Sequence, residues 1–511
     1  MVDAPKNRSL QGTLHANPIV YFLITDRFRA AGRPLGDAGI GTFHGGSFAG
    51  VTEQLRAGWF ARLGINALWI SAPYEQVHGW VEGAGGFRHE PYHGYWPLDF
   101  TCIERRFGDA AALRELVDSA HAAGIQVLLD VVMSHTGYVD RSTAAGSAGL
   151  PSCWGPDWVR ADLPGYVAGG DDDLTRISFG LPKLRTESDA AVTLPAALRH
   201  KPDTLAVDLA DTPVRGYLVD WLSGWVRDFG IDGFRCDSAR HVDLRCWSAL
   251  KQAGNAALAG WRHRHGVPGT APFWMVGEVY GHGLQRSAYF DGGFDSVLNF
   301  DFQHELGALL ADVDTATPFG RGLLWRRLDQ LFARYAAALA DGDFDVLSYL
   351  SSHDTCLFDR NLLRLAATAL LLLPGGVQIF YGDETARPPL AAPEADPAQA
   401  TRSDMNWDSV DESLLAHWQR LGQFRHRHVA LARGAHRRLC VAPYVFARTD
   451  AASGDSVLVA WGPGGARVDV SAVCADGTQW RDAASGATWR VADGHIEIDV
   501  DELLLLEPYE G

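Results

Sequence analysis

The stretch "DGFRCDSARHV" (residues 232–242) sets an arginine two residues before an aspartate and a histidine four residues after it. It follows "VRGYLVDWLSGWVRDFG" (214–230), whose apolar residues recur at helical spacing and stop at a glycine. The order is therefore helix, strand, charge. Charge within a packed strand is costly, so Arg235, Asp237 and His241 are expected where the strand ends and a cleft begins, not inside the core.

The same order recurs along the first 390 residues. Short runs rich in β-branched and aromatic residues occur at 19–28, 65–71, 125–132, 231–237, 274–279, 296–302, 347–354 and 377–384. Helical patterns separate most of them. Eight strands alternating with helices predict an α/β fold, a (β/α)8 TIM barrel. The runs end in Asp26, Asp130, Asp237, Glu278, Asp301, His353 with Asp354, and Asp383 with Glu384. The C-terminal rim is where such barrels build their sites.

The interval after the third strand is too long for one helix. It is rich in Gly, Pro, Asp and Trp, as in "GGDDDLTRISFGLPKLRTES" (169–188), and predicts an inserted irregular domain. From about residue 431 the pattern changes to period two. "VAPYVFARTD", "DSVLVAWG", "ARVDVSAV", "TWRVADG" and "HIEIDVDELLLLEP" are divided by Gly and Asp turns. The expected organisation is a barrel over 1–135 and 207–430, an inserted domain over 136–206, and a C-terminal antiparallel β-sandwich over 431–511.

Composition narrows the partners. The 511 residues carry a formal charge of −17, from 62 acidic and 45 basic side chains. A nucleic acid is therefore not an expected partner. No apolar run reaches the length of a membrane span, and the longest, "LAATALLLLPGGVQIF" (365–380), is broken by Pro374, Gly375 and Gly376. The seven cysteines have no CxxC spacing, which reads as scattered thiols in a reducing compartment. The polar start "MVDAPKNRSLQGTLHAN" (1–17) gives a cytoplasmic expectation, with a mature secreted or periplasmic form as the alternative. A monomer is the expected state.

Three strand-end acids stand out: Asp237, Glu278 and Asp354. Glycoside hydrolysis needs one carboxylate to attack the anomeric carbon and another acid to protonate the leaving oxygen. In retaining enzymes the two carboxyls lie about 5–5.5 Å apart, a spacing that neighbouring barrel strands can supply. Arg235, on the same strand face as Asp237, would keep that carboxylate ionised. Glu278 follows the apolar "WMVG" and has no cation beside it in sequence, which favours a raised pKa and an acid/base role.

At these residues the chain resembles the α-amylase family of glycoside hydrolases, whose members carry four ordered signature segments. "DVVMSH" (130–135), "GFRCDSARH" (233–241), "GEVYG" (277–281) and "SSHD" (351–354) match them in order. "FHGGSFAGVTEQL", "YHGYWPLDF", "IFYGDE" and "RSDMNWD" extend the likeness over nearly the whole chain. Within the family, "ALWISAPYEQVHGW", "LPKLRTES" and "VLSYLSSHDT" resemble the bacterial periplasmic branch. The resemblance implies Asp237 as nucleophile, Glu278 as general acid/base and Asp354 as the acid that grips the sugar's vicinal hydroxyls. It implies Arg235 as the residue orienting the nucleophile, and His135 and His353 as sugar ligands. Tyr95 becomes the aromatic platform, and Arg240 with His241 the leaving-group side. Of the 17 tryptophans, Trp80, Trp96, Trp154 and Trp158 are the further platform candidates.

The implied activity is retaining hydrolysis of α-1,4 bonds in starch or maltooligosaccharides. An α-glucosidase or transglycosylase on the same machinery is the alternative. A non-catalytic sugar-binding relative would usually have lost one of the three acids. The resemblance also implies a structural calcium between barrel and insert. Here Ser134 stands at the usual asparagine and Lys183 at the usual aspartate. No cofactor or metal is therefore expected to be required; the Lys183 ammonium is expected to replace the ion. A Lys183 that points to solvent beside an empty site, and a calcium retained through Asp171, Asp172 or Asp173, are the other options.

Overall fold

The structure, a computed structural model, describes residues 13–36, 39–138, 154–311, 313 and 317–509. Cys153 and Lys6 lie outside the described residues.

Eight strands close a barrel: β1 (Ile19–Leu23), β2 (Ala67–Ile70), β3 (Gln126–Val132), β4 (Gly233–Asp237), β5 (Trp274–Gly277), β6 (Ser296–Asn299), β7 (Val346–Tyr349) and β8 (Gly376–Phe380). They pair in sequence order, and every pairing is parallel. Each strand is buried along its whole length. This is why the strands read as continuous apolar runs and not as alternation.

Helices cover the outside. They are α1 (Phe48–Arg56), α2 (Ala110–Ala122), α3 (Val214–Phe229), α4 (Leu244–His265), α5 (Phe300–Ala311), α6 (Pro318–Ala338), α7 (Leu363–Leu371) and α8 (Glu412–Arg427). Ser47, Asp109, Thr317 and Asp411 cap the starts of α1, α2, α6 and α8. The helix that leads into β4 stops at Gly230, at φ 74°. A Cβ there would lie 2.4 Å from the Trp261 ring, so both conformation and space call for glycine. Between β5 and β6 there is only the single-turn helix Ala288–Asp291.

The segment between β3 and α3 has little regular structure. Its short strands Val159–Arg160 and Lys183–Leu184 pair with each other. Its anchor is aromatic: the Trp158 ring stacks on Trp221 of α3 at 5.6 Å and 1°. Trp154 and Trp158 are 1% and 2% exposed.

After α8 a six-stranded antiparallel sheet begins at Ala435, and a second, two-stranded sheet pairs Gly464–Asp469 with His495–Val500. Val445, Ala447, Leu458 and Ala460 share a core with Val468, Ile496 and Ile498. The alternate residues Tyr444, Phe446, Val457, Val459 and Trp461 join the barrel's own core. Period-two sequence thus feeds two interiors, one on each face of the sheet. Two of its strands escape the sequence reading. Ala435–Cys440 is a mostly exposed edge, and Gln479–Asp482 is only four residues long.

Candidate active site

The register of the barrel builds the site. Arg235 of β4 lies opposite Asp130 of β3. Arg235 Nη1 donates to Asp130 Oδ1 at 2.9 Å and to Asp237 Oδ1 at 2.8 Å. Its Nη2 lies 2.9 Å from Glu278 Oε1. One guanidinium therefore contacts three carboxylates from three adjacent strands. Arg235 and Asp130 are both fully buried, so this charge lies beneath the floor of the cleft and not at its edge. Asp130, a signature residue with no sequence-assigned role, is the partner that makes the burial tolerable. Burial nonetheless pushes its carboxyl up to about 7, against the pull of Arg235.

Glu278 does have a cation beside it, supplied by the neighbouring strand and invisible in its own segment. Burial still dominates and raises its pKa to about 8, with Arg235 opposing and Asp237 and Asp354 adding to the rise. The Ser238 backbone N–H donates to Glu278 Oε2 at 2.7 Å, from a left-handed conformation at φ 48°. For Asp354, burial works against the charge. The His353 imidazole, Arg402 and Arg235 outweigh it and hold the carboxyl below the usual range. Arg402 Nη2 donates to Asp354 Oδ1 at 3.1 Å, and His353 Nε2 lies 2.9 Å from Oδ2. Arg402 belongs to "RSDMNWD", far along the sequence, and only the fold brings it here.

The Tyr95 ring stacks on His353 at 5.3 Å and 10°. Its hydroxyl donates to Asp130 Oδ2 at 2.8 Å and lies 2.7 Å from His353 Nε2. His135 is engaged at both nitrogens, with Tyr95 O at 3.0 Å and Ser134 Oγ at 2.7 Å. A carbonyl only accepts, so His135 Nε2 carries the proton and Ser134 donates to Nδ1. Burial lowers the pKa of His135 and His353, against the pull of Asp237 on the first and Asp354 on the second. His93, unassigned from the sequence, accepts from the Tyr95 N–H at Nδ1 and lines the same cavity.

That cavity measures about 860 Å³ and takes in Asp237, Glu278, Asp354, Tyr95, His135, Arg240 and His241. Arg240 is exposed and donates to Asp173 Oδ2 at 2.7 Å. His241 Nδ1 lies 2.9 Å from the Asp173 carbonyl. Trp154 and Trp158, 1% and 2% exposed, offer no ring face to a sugar. Trp96, Trp154 and Trp158 are buried in packing contacts, and Trp80 lies under the Arg88 guanidinium. The exposed aromatics on the cavity wall are Phe179, 92% exposed, and Tyr280, 67% exposed. Phe179 also sits at φ 55°, a strained conformation for a side chain of its size.

The calcium position implied by resemblance holds a different donor set. Lys183 Nζ donates to the His241 carbonyl, and Ser134 Oγ is spent on His135. Asp173 is taken up by Arg240 and His241. An ammonium with no carboxylate bonded to it does not fit a calcium ion, which wants six to eight oxygens, carboxylates among them.

Residues 22–150 and 202–412 match the family model described as the alpha amylase catalytic domain. The periplasmic alpha-amylase of Escherichia coli (strain K12) is 42% identical over 511 residues, covering 87% of this chain and 72% of that protein. An alpha-amylase of Streptomyces lividans is 28% identical, over 83% of this chain and 51% of its own length. Among solved structures, the alpha-amylase of Geobacillus thermoleovorans complexed with acarbose superimposes with a TM-score of 0.70 at 21% identity. That match covers 98% of this chain and 100% of that one, and at this identity it bears on the fold. The chain belongs to the α-amylase family of glycoside hydrolases, enzymes that act on α-glucans.

Proposed function

We propose that this enzyme hydrolyses α-1,4 bonds of starch or maltooligosaccharides with retention of configuration. The observation that carries the reading is the single Arg235 guanidinium in contact with both Asp237 and Glu278. A carboxylate pair spanned by one side chain suits the short separation of retaining enzymes, about 5–5.5 Å, better than the 6.5–9.5 Å of inverting ones. Asp237 attacks C1 as nucleophile. Glu278, protonated at neutral pH by its burial, gives its proton to the glycosidic oxygen and then takes one from water. Asp354 stays ionised beside Arg402 and His353 and accepts from sugar hydroxyls. Tyr95 offers a ring face to the sugar. His135 and His353 fix the Tyr95 wall, and Arg240 and His241 lie on the leaving-group side.

Phe179 and Tyr280 favour a second reading beside the first. Two exposed rings on the cavity wall would seat a departing sugar, and equally an accepting one. Transfer to a sugar hydroxyl would then compete with hydrolysis. For location, the name of the Escherichia coli relative supports a periplasmic or secreted form over the cytoplasmic expectation. Among the described residues no helix is long and apolar enough to cross a membrane.

Incubation of the protein with maltoheptaose, soluble starch and maltose, beside a Glu278→Gln variant, tests the reading. Mid-chain cleavage by the wild type, abolished in the variant, is expected. Products longer than the substrate would move the assignment to transfer. Inactivity on all three would sink the substrate class.

A further inference from the structure

Glu75 and Asp99 lie directly opposite each other on the antiparallel pair Tyr74–Gln76 and Pro97–Ile103. They are 7% and 0% exposed. Two buried carboxylates facing across a strand pair repel each other and demand a cation. Lys201, from the inserted segment, supplies it. Its ammonium lies 2.7 Å from Glu75 Oε2, 3.3 Å from Asp99 Oδ2 and 2.6 Å from Asp203 Oδ1. Cys102 Sγ closes the cage at 3.5 Å. The Glu75, Asp99 and Cys102 ligand atoms lie within 4.8 Å of one another, a spacing that could hold a metal ion. The adjoining backbone is stitched in as well: Leu205 N donates to Thr101 Oγ1 at 3.1 Å.

The caged strands carry the platform. Gln76 Oε1 accepts from the Trp96 N–H at 2.7 Å, and the Val77 N–H donates to the Trp96 carbonyl at 2.9 Å. Tyr95 precedes Trp96 directly. The second lysine of the insert ties it to the rim at another point. Lys183 is 3% exposed and donates to the His241 carbonyl. Its own strand is tied to the first signature by Leu184 N to Ser134 O and Thr136 N to Pro182 O, both at 3.0 Å. Two of the four lysines in 511 residues are thus spent as interior cations at one junction.

We propose that Lys201 and Lys183 are internal cations that fasten the inserted segment to the barrel rim and position Tyr95 and His241, so that this junction needs no metal ion. Lys201 occupies a cage that three carboxylates and a thiol would otherwise offer to a divalent cation. Lys183 occupies the place where the family resemblance implies calcium. The positioning role rests on the catalytic reading above; the fastening role does not, and melting reads it separately from activity.

The test is melting of the whole enzyme in EDTA and in calcium chloride, with Lys201→Ala and Lys201→Arg alongside. The wild type is expected to melt at one temperature in both. Lys201→Ala is expected to melt about 5 °C lower or more, because a buried carboxylate pair loses its counter-charge. Millimolar calcium or cadmium should restore much of that loss by filling the cage, and Lys201→Arg should retain most of the stability. KM for maltoheptaose should rise about tenfold in Lys201→Ala and recover with the same cations. Should Lys201→Ala not fold, the variant Glu75→Gln/Asp99→Asn/Lys201→Met removes the buried carboxylate pair together with the ammonium, leaves only the more exposed Asp203, and is expected to fold. A wild type that loses stability in EDTA and regains it with calcium would overturn the proposal. So would a Lys201→Ala enzyme that melts like the wild type, or one that no cation rescues.

Discussion

At the scale of the residue, the site turns on one arginine and one buried acid. Glu278 has a folded pKa of about 8 against an ordinary value of 4.5. Below the ordinary value both folded and unfolded chains hold the proton, and burial costs nothing through this group. As pH rises from there toward 8, the unfolded chain releases the proton and the folded chain does not, so stability falls. Glu278→Gln should therefore be inactive and yet melt higher than the wild type at pH 8, with the gap closing near about pH 4. Calorimetry across that range checks the sign. Activity should fall as pH rises through about 8, when the acid loses its proton. Arg235→Lys should keep the charge and lose the fork. An ammonium cannot hold Asp130, Asp237 and Glu278 together, and kcat should drop by about 10²-fold or more. Stopped assays on maltoheptaose would show it, and an unchanged kcat would remove Arg235 from the account.

At the scale of the element, the insert supplies Phe179 to the cavity wall. Phe179 combines strain with exposure, at φ 55° and 92% exposed, a pairing that packing does not reward. Phe179→Gly should hold or raise stability by up to about 1 kcal/mol, since glycine takes this conformation freely. It should weaken binding of long substrates if the ring is a platform. A loss of melting temperature with no change in KM would refute that role. Trp158→Ala should cost about 3–5 kcal/mol of local stability by emptying the stack on Trp221, and limited proteolysis of the insert would report it. These elements also mark where the sequence was readable. The eight barrel strands announce themselves because burial on both faces makes them apolar throughout, and their terminal acids are adjacent to that signal. Arg402 was not legible as a site residue, because it reaches the cleft only through folding of a distant loop; His93 stands two residues before Tyr95 and carries no signal of its own in the sequence. The tryptophans misled for a related reason. Trp154 and Trp158 lie in a rim-side segment, but their rings pack on Trp221 and attach the insert to α3.

At the scale of the whole molecule, the C-terminal sheet is joined to the barrel through its interior. Trp461 lies 5.0 Å from Trp325 of α6, and Arg448 is buried with Nη2 donating to the Leu372 carbonyl at 3.2 Å. One face of that sheet therefore belongs to the barrel core. Cutting the chain at about residue 430 should expose this surface and leave an aggregating barrel, and light scattering on the truncated chain would decide it. The −17 formal charge agrees with a neutral polyol substrate and repels polyanions. The family is fixed by this scale and by the four ordered signatures together. The proposed chemistry rests on the smallest scale, where Asp237 and Glu278 meet one guanidinium. The most direct measurement is the configuration of the first sugar released from maltoheptaose, followed by proton NMR before mutarotation. The account predicts that the α-anomer forms first and relaxes toward the mixture. First appearance of the β-anomer would mean single displacement by water, and would contradict a covalent intermediate on Asp237.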